Sequence, residues 1–217
     1  MTATIYCSQI TSPLGTLYLE GDGQFLTGLY LPDRQGQPGP PAGRRESAAP
    51  FDAVREQLAE YFAGARQAFD LPLQLAGSPF QLRVWQELVR IPYGSTITYA
   101  QLGQRIGRPA ASRAVGQANS RNPISIIVPC HRVIGSSGKL TGYAGGLDAK
   151  RWLLGAESYG SDVSNYRRYL VNHEFGHALG KRHVDCPGAG RVAPVMMQQT
   201  KGLGACRKNP WPLVSED

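Results

Sequence analysis

The sequence lacks the features that would direct a chain into or across a membrane. No charged start followed by an apolar stretch opens it, which argues against a secretory signal peptide. No uninterrupted apolar run approaches the ~20 residues that a helix needs to span a bilayer. These absences predict a soluble cytoplasmic protein with no membrane partner. Its 217 residues allow one large or two modest domains.

Cysteine is scarce, and its spacing excludes a disulfide framework for the whole chain. The four cysteines are Cys7, Cys130, Cys186 and Cys206. In a reducing compartment a lone thiol is either catalytic or inert. In "IVPCHRVI" the histidine His131 directly follows Cys130. The pair is typical of two situations: a buried thiol that packs like a small hydrophobe, or a nucleophile with its base alongside.

Acidic residues are scarce in the middle of the chain. Residues 79–157 carry ten Lys or Arg against three acids, a net charge of +7. Residues 1–78 carry −3 and residues 158–217 carry +3. A basic surface often serves solubility only, but a concentrated one favours a polyanionic partner such as nucleic acid.

The acidic first third predicts a small domain that combines strands with a helix. The runs "GTLYLEG" and "FLTGLYL", separated by "GDGQ", predict a β-hairpin within residues 4–31. Residues 33–50 are rich in Pro and Gly and predict a loop. Apolar residues then recur at helical spacing, up to a predicted helix end before Gly64, at Phe51, Val54, Leu58 and Phe62.

The middle third contains two sequence signals for helix starts. "SPFQ" and "TYAQ" each place a capping hydroxyl, Ser78 and Thr98, three residues before a glutamine, as a capping box requires. The helix after Thr98 is predicted to end at Gly107, and a second is predicted to run from Pro109 to Asn122. Two short helices joined by "GRP" resemble a helix-turn-helix, although other helical hairpins share this pattern.

The second of these helices is rich in small residues, with Arg113 and Arg121 supplying charge. The spacing predicts one common side for Ala111, Ala114, Val115 and Ala118. Such a smooth face suits either close packing against another helix or close approach to a nucleic-acid groove. The local basic excess favours the groove.

"PCHRVI", preceded by "RAVGQANSRNP" and followed by "GYAGGLDAKRWLLGAE", resembles the O6-alkylguanine-DNA alkyltransferases, the methylated-DNA–protein-cysteine methyltransferases. The resemblance covers residues 1–157. It implies an α+β fold with an N-terminal domain over 1–78 and a mostly helical, winged-helix-like helix-turn-helix domain over 79–157. It further implies a monomer that binds double-stranded DNA bearing O6-alkylguanine and repairs it once, irreversibly and without a cofactor.

The same resemblance assigns roles around the nucleophile. It makes Cys130 the alkyl acceptor and His131 a base that acts through water. Glu157 would polarise His131, and Asn122 would hold the site together by hydrogen bonding. Some relatives hold zinc in the N-terminal domain, but Cys7 lacks ligand partners of that kind.

The resemblance also assigns contacts to DNA. Arg113 would enter the duplex where the flipped nucleotide left, and Tyr99 would turn the nucleotide's phosphate and touch the base. The charge of Arg121 beside the small-residue face predicts a further contact to DNA. The base pocket is predicted to involve Tyr143, Ala144 and the backbone at Val133. Because Ala144 has no hydroxyl, only its backbone N–H is expected to contact O6.

Residues 158–217 lie outside this pattern and resemble the C-terminal part of a metzincin-like zinc peptidase. "HEFGHALGKRH" places His173 and His177 one helical turn apart, with His183 as a third zinc ligand and Glu174 as base for a bound water. Met196 would supply the Met-turn.

The tail departs from a complete peptidase. Only 15 residues separate Glu157 from His173, too few for the sheet that forms a substrate cleft. A disulfide between Cys186 and Cys206 would require an oxidising compartment, which conflicts with a cytoplasmic repair protein. The alternatives are a zinc-dependent hydrolase, a zinc-binding appendage, and a poorly packed or artificially joined segment.

Overall fold

A computed structural model of the chain shows two compact units, Met1–Lys150 and Arg151–Asp217. The structure describes residues 4–32, 43–159, 169, 181–185, 187, 191–194, 196–197 and 206–207. Among the predicted tail residues, His173, Glu174, His177 and Cys186 therefore lie outside the described residues. None of the described helices is both long and apolar enough to span a membrane.

The first unit begins with a mixed sheet in the order β3-β2-β1-β4. Its strands are Tyr6–Ser12 (β1), Gly15–Gly21 (β2), Leu26–Tyr30 (β3) and Arg45–Glu46 (β4). The antiparallel pairing of β2 with β3 confirms the predicted hairpin. Its connection is an Asx turn, because Asp22 Oδ1 accepts from the backbone N–H groups of Gln24 and Phe25 at 2.8 and 2.7 Å.

The loop predicted for residues 33–50 is wrong in its C-terminal part. Within 33–50, residues Arg45 and Glu46 form β4, which pairs in parallel with β1. Arg45 N donates to Ile5 O at 2.9 Å, and Ser47 N donates to Cys7 O at 3.0 Å. Because both strand residues are exposed, backbone pairing rather than side-chain burial forms this strand, and periodicity could not reveal it.

In the described part of the chain the α-helices are Asp52–Ala63 (α1), Pro79–Val89 (α2), Tyr99–Arg105 (α3), Ser112–Ser120 (α4) and Gly146–Tyr159 (α5). Ser78 and Thr98 each accept from the predicted glutamine's N–H, and each glutamine side chain accepts from the cap's backbone. Both capping boxes are therefore confirmed. The helix after Phe51 ends as predicted, with Gly64 in the left-handed conformation at φ 80°.

Helix α4 begins three residues later than predicted. Pro109 and Ala110 lie in a turn closed by a 3.0 Å hydrogen bond from Ala111 N to Arg108 O, so Pro109 serves the turn rather than the helix. Ala114 is exposed whereas Val115 and Ala118 are buried, so the predicted common side is wrong for Ala114.

Backbone hydrogen bonds join the sheet to the helical part of the first unit. Leu29 N in β3 donates to Pro123 O at 2.8 Å, and Ser125 N donates back to Leu29 O at 2.9 Å. Two further strands, β5 (Ile97–Thr98) and β6 (Val133–Ile134), pair in parallel. The chain segment between Pro123 and β6 is thus held at both ends.

Part of the second unit is also described. Tyr169 is buried and its hydroxyl donates to Met197 O at 3.0 Å. Ala193, Met197 and Cys206 form a small buried cluster, and Cys206 is disulfide-bonded. Met196 is buried within a turn closed by the 3.0 Å bond from Met197 N to Pro194 O.

Candidate active site

Cys130 begins a 3-10 turn, Cys130–Arg132, directly after the bend at Pro129. Pro129 has φ −82° and ψ 63°, and Cys130 N donates to Val128 O at 2.8 Å, which together make an inverse γ-turn. The cysteine is a free thiol and only 4% exposed. Its sulfur is therefore fixed by backbone geometry and closed off from bulk water.

Asn122 organises the loop that leads to the thiol. Its Nδ2 donates to Val128 O at 2.8 Å and to Cys130 Sγ at 3.1 Å, with Ile124 O a third acceptor at 3.3 Å. Its Oδ1 accepts from Ile124 N at 3.0 Å. One buried amide thus closes the loop and contacts the sulfur.

The loop contains one strained residue, Ile126. It is fully buried and has φ 70°, a region that β-branched residues rarely adopt. The following residue, Ile127, donates its N–H to Ser125 O at 2.8 Å. Such a conformation costs roughly 1–3 kcal/mol and persists only where the surroundings enforce it.

Lys150, which the sequence interpretation missed, is fully buried on α5. Its ammonium donates to the carbonyls of Val133 and Thr141 at 2.6 and 2.8 Å, with Gly142 O at 3.4 Å. Burial lowers the pKa of Lys150 to about 8, against the opposing influence of Cys130. Lys150 thus ties β6 to the loop before α5 and places positive charge near the thiol.

Burial raises the pKa of Cys130 above its ordinary value. The hydrogen bond from Asn122 and the charge of Lys150 act in the opposite direction without overcoming burial. In the resting protein the thiol is therefore protonated at neutral pH, and the reactive thiolate requires a base. His131 is the adjacent residue in the same 3-10 turn and is fully buried.

Three predicted pocket residues lie around this centre. The Tyr143 ring stands edge-on to His131, with ring centroids 6.5 Å apart. Tyr99, the first residue of α3, donates its hydroxyl to Thr141 O at 3.3 Å. Val133 is buried, and its carbonyl accepts from Lys150.

The remaining predicted site residues differ in their exposure. Ala144 is exposed. Glu157 is buried on α5 in the second unit, and its role beside His131 stays a prediction. Arg113 on α4 and Arg121 just after it are exposed, as contacts to DNA require. Two exposed arginines before α4 that the sequence interpretation did not name are Arg105 and Arg108.

Metal binding has no geometric support in the described residues, where no cluster of three His, Cys, Asp or Glu side chains could hold an ion. His183 is exposed. The zinc site predicted for the tail therefore rests on sequence alone.

Two parts of the chain match models of one class of protein. Residues 5–75 match the 6-O-methylguanine DNA methyltransferase ribonuclease-like domain, and residues 79–159 match the DNA binding domain of the same class. Residues 141–213 match a third family, described as a protein of unknown function (DUF3152). This third match shares α5 with the second and gives no support to a zinc peptidase.

Individual proteins give the same result. The methylated-DNA–protein-cysteine methyltransferase of Mycobacterium leprae is 50% identical over 155 residues, 71% of this chain and 93% of that protein. Its namesake from Methanosarcina acetivorans is 47% identical over 153 residues, 70% and 98%. Mycobacterium tuberculosis OGT, solved in complex with DNA, is 46% identical with a TM-score of 0.68, covering 72% and 94%. The chain belongs to the 6-O-methylguanine DNA methyltransferase family.

Proposed function

We propose that this protein repairs DNA by moving an alkyl group from O6 of guanine onto Cys130 Sγ. The observation that carries the proposal is a buried thiol, hydrogen-bonded by Asn122, in a chain that is 50% identical over 155 residues to a methylated-DNA–protein-cysteine methyltransferase. The helix-turn-helix of α3 and α4 precedes that thiol in the chain and supplies a means of binding DNA.

Alkyl transfer needs a proton to leave the sulfur first. In the proposed step His131 takes the Cys130 proton through water, with Glu157 polarising the imidazole. The thiolate attacks the alkyl carbon, so a carbon–sulfur bond forms as the carbon–O6 bond breaks. The electron pair of the broken bond stays with guanine, which takes up one proton. Every atom comes from the thiol and the lesion, so the transfer requires no cofactor.

The product explains why each molecule works once. A thioether at Cys130 has no proton to lose and no activated bond to release the alkyl group. Its position, 4% exposed, also keeps it from external nucleophiles. Repair capacity therefore equals the number of protein molecules.

The depth of the thiol requires the damaged base to leave the duplex. A base inside the stack cannot reach a sulfur this buried, and extrusion costs a few kcal/mol. In the proposal Arg113 fills the gap and Tyr99 turns the phosphate of the extruded nucleotide. The pocket would involve Tyr143, Val133 and the backbone N–H of Ala144. Lesions occur in any sequence, so phosphate contacts, including one from Arg121, should dominate and binding should weaken with salt.

Mass measurement of the modified peptide tests the proposal. The full chain is incubated with a duplex containing O6-methylguanine and digested with trypsin, which releases residues 122–132 with Cys130. We expect that peptide to gain one methyl group in place of hydrogen, and an unmethylated duplex to leave it unchanged. An unmodified peptide after complete incubation rejects the function. Light scattering with and without DNA tests the accompanying proposal that the protein is a monomer.

The histidine spacing of the tail favours a second candidate function, zinc binding. His173, His177 and His183 form a donor set that suits zinc, with Glu174 placed in the motif to act on a bound water. We expect one zinc per purified full chain by atomic spectroscopy, and loss of that zinc in His177→Ala. A wild-type chain without zinc after supplementation rejects this candidate and leaves alkyl transfer untouched.

A further inference from the structure

Gln117 is an exposed residue on α4, and its side-chain amide has no hydrogen-bond partner among the described residues. The next polar side chain on the exposed side, Ser120, is engaged, because its hydroxyl donates to the backbone carbonyl of Gln117 at 2.9 Å. A primary amide has two N–H donors and one carbonyl acceptor. Gln117 therefore presents hydrogen-bonding groups that the described part of the fold does not use.

The buried side of α4 fixes the position of Gln117 relative to the nucleophile. Trp85 Nε1 donates to Ala118 O at 2.9 Å, and Asn119 Nδ2 donates to Cys130 O at 3.2 Å. These contacts hold α4 against the backbone of the nucleophile, and helical spacing places Gln117 on the opposite, exposed side. A duplex that delivers a base to Cys130 must therefore lie close to α4.

Gln117 lies between two exposed arginines on this side of the helix. Arg113 precedes it by four residues and Arg121 follows it by four, and residues at this spacing are neighbours on a helix surface. No acidic residue occurs in the sequence between Glu87 and Asp148. Arginine contacts to phosphates position a protein on a duplex, whereas contacts to base edges specify sequence. An uncharged amide between two such arginines is therefore suited to a base edge.

The spacing along α4 sets which base pair Gln117 can reach. At about 1.5 Å per residue, Arg113 and Gln117 are separated by about 6 Å along the helix axis. Base pairs follow one another at about 3.4 Å. Ala114, which is exposed beside them, has no atoms beyond Cβ and lets the helix come close to the bases. Gln117 can therefore reach a base pair about two steps from the position of Arg113.

We propose that Gln117 recognises a base pair within two steps on one side of the extruded guanine and favours A·T over G·C there. The inference rests on the proposed function, in which Arg113 fills the gap that this guanine leaves. In the major groove a glutamine amide pairs with N6 and N7 of adenine. In the minor groove its N–H groups donate to adenine N3 or thymine O2, where a G·C pair adds an opposing N–H donor. Either groove gives the same preference, which modulates the rate while phosphate contacts supply most of the affinity.

Methyl transfer from a set of matched duplexes tests the proposal. Each duplex contains one O6-methylguanine, and either A·T or G·C occupies the first or the second pair on one side of it. The second-order rate constant of transfer is measured for wild type and Gln117→Ala, and the ratio of A·T to G·C is taken at each position. At one position we expect this ratio to be about tenfold higher for wild type than for Gln117→Ala, as loss of one base contact implies.

The comparison of ratios isolates the contribution of Gln117. Neighbouring base pairs also change the cost of extrusion, but that cost belongs to the duplex and is the same for both proteins. Alanine is the stronger helix former, so the substitution preserves α4. Gln86→Ala removes an exposed glutamine from α2 and should keep the wild-type ratios. Equal ratios for wild type and Gln117→Ala at every position overturn the proposal.

A binding measurement separates failure of this inference from failure of the proposed function. A wild-type protein that takes no methyl group from any of the duplexes rejects the proposed function. Fluorescence anisotropy with the same duplexes then decides whether Gln117 recognises a base pair. We expect the dissociation constants to show the same tenfold dependence on Gln117 at one position, and ratios that are equal for wild type and Gln117→Ala overturn the inference.

Discussion

The two parts of the first unit bury different kinds of side chain. In the sheet region, residues 6–75, the buried polar side chains among the described residues are Ser8 and Glu20. In the helical region, residues 79–150, the corresponding set is Asn119, Asn122, Ser125, His131, Arg132 and Lys150. Burying a polar group costs free energy unless it is hydrogen-bonded. Most of the buried polar side chains in the described part of the first unit therefore lie in the region that contains Cys130.

The sheet region nevertheless contributes to the site. Its strand β3 holds the start of the strained loop, because Leu29 forms backbone hydrogen bonds with Pro123 and Ser125, just before Ile126. Asn122 closes the same loop from within. The sheet region thus helps to fix the loop, and the helical region contains the proposed reacting groups.

The largest expected effect on methyl transfer distinguishes two cysteines that are similarly buried. Cys7 in β1 is 2% exposed and Cys130 is 4% exposed, and both are free thiols. Cys130→Ala should abolish methyl transfer while the protein still binds methylated duplex. Cys7→Ala should keep full transfer and lose stability only by the ~1 kcal/mol of a small core truncation. Mass analysis and urea unfolding measure the two; transfer by Cys130→Ala would contradict the assignment.

The next effect distinguishes a buried lysine from an exposed one. Lys150→Met removes a charge that lowers the pKa of Cys130 and three contacts to carbonyl oxygens. We expect single-turnover transfer to fall roughly a hundredfold, as loss of a buried charged donor implies. Lys139→Met, an exposed change in the preceding loop, should have no measurable effect. Equal transfer rates for the two variants would show that Lys150 does not contribute to the reaction.

The pH dependence sharpens this contrast. The thiolate is the reactive form, and removal of the Lys150 charge raises the pKa of Cys130, so less thiolate is present at any given pH. Lys150 itself titrates with a pKa of about 8. The ratio of single-turnover transfer rates from the free alkylated base, wild type over Lys150→Met, should therefore be largest below pH 8 and should fall above it. A rate ratio that increases with rising pH would contradict the electrostatic role of Lys150.

Local signals predicted the helical region well. The capping hydroxyls Ser78 and Thr98 act on neighbours three residues away, so the sequence contains the whole interaction. The adjacency of Cys130 and His131 and the family resemblance likewise predicted the class of chemistry. These features depend on residues that are close in sequence.

The missed features depend on residues that are distant in sequence. Strand β4 forms because the backbone of β1 is available to it. Lys150 has its partners 8 to 17 residues earlier, at carbonyls that no residue pattern marks. One signal was present: Lys150 shares a helical face with Leu153 and Leu154, which predicts burial and hence a partnered charge. The partners themselves require the fold.

A smaller effect on transfer is expected at the DNA interface. Arg113→Ala should slow transfer from duplex about tenfold, the loss expected for one arginine contact. It should slow transfer from the free alkylated base much less, because no duplex gap has to be filled. Arg45→Ala, an exposed arginine in the sheet region, is the matched control and should change neither rate. Equal losses on both substrates would contradict the role of Arg113 in the duplex.

The smallest expected effects are changes in the free energy of unfolding when one arginine in each region is replaced. Arg132 is 6% exposed; it donates to Ile91 O at 2.7 Å, and its guanidinium lies 5.8 Å from the Tyr93 ring centroid. Arg66 pairs with Glu60 at 2.6 Å, but both side chains remain partly exposed. Arg132→Met should lower the free energy of unfolding by about 2–3 kcal/mol, because a buried carbonyl loses its charged donor. Arg66→Met should lower it by less than about 1 kcal/mol, as screened surface pairs do. Urea unfolding measures the free energy of unfolding of both variants. If Arg66→Met loses as much as Arg132→Met, burial of the arginine does not determine how much each contributes to stability.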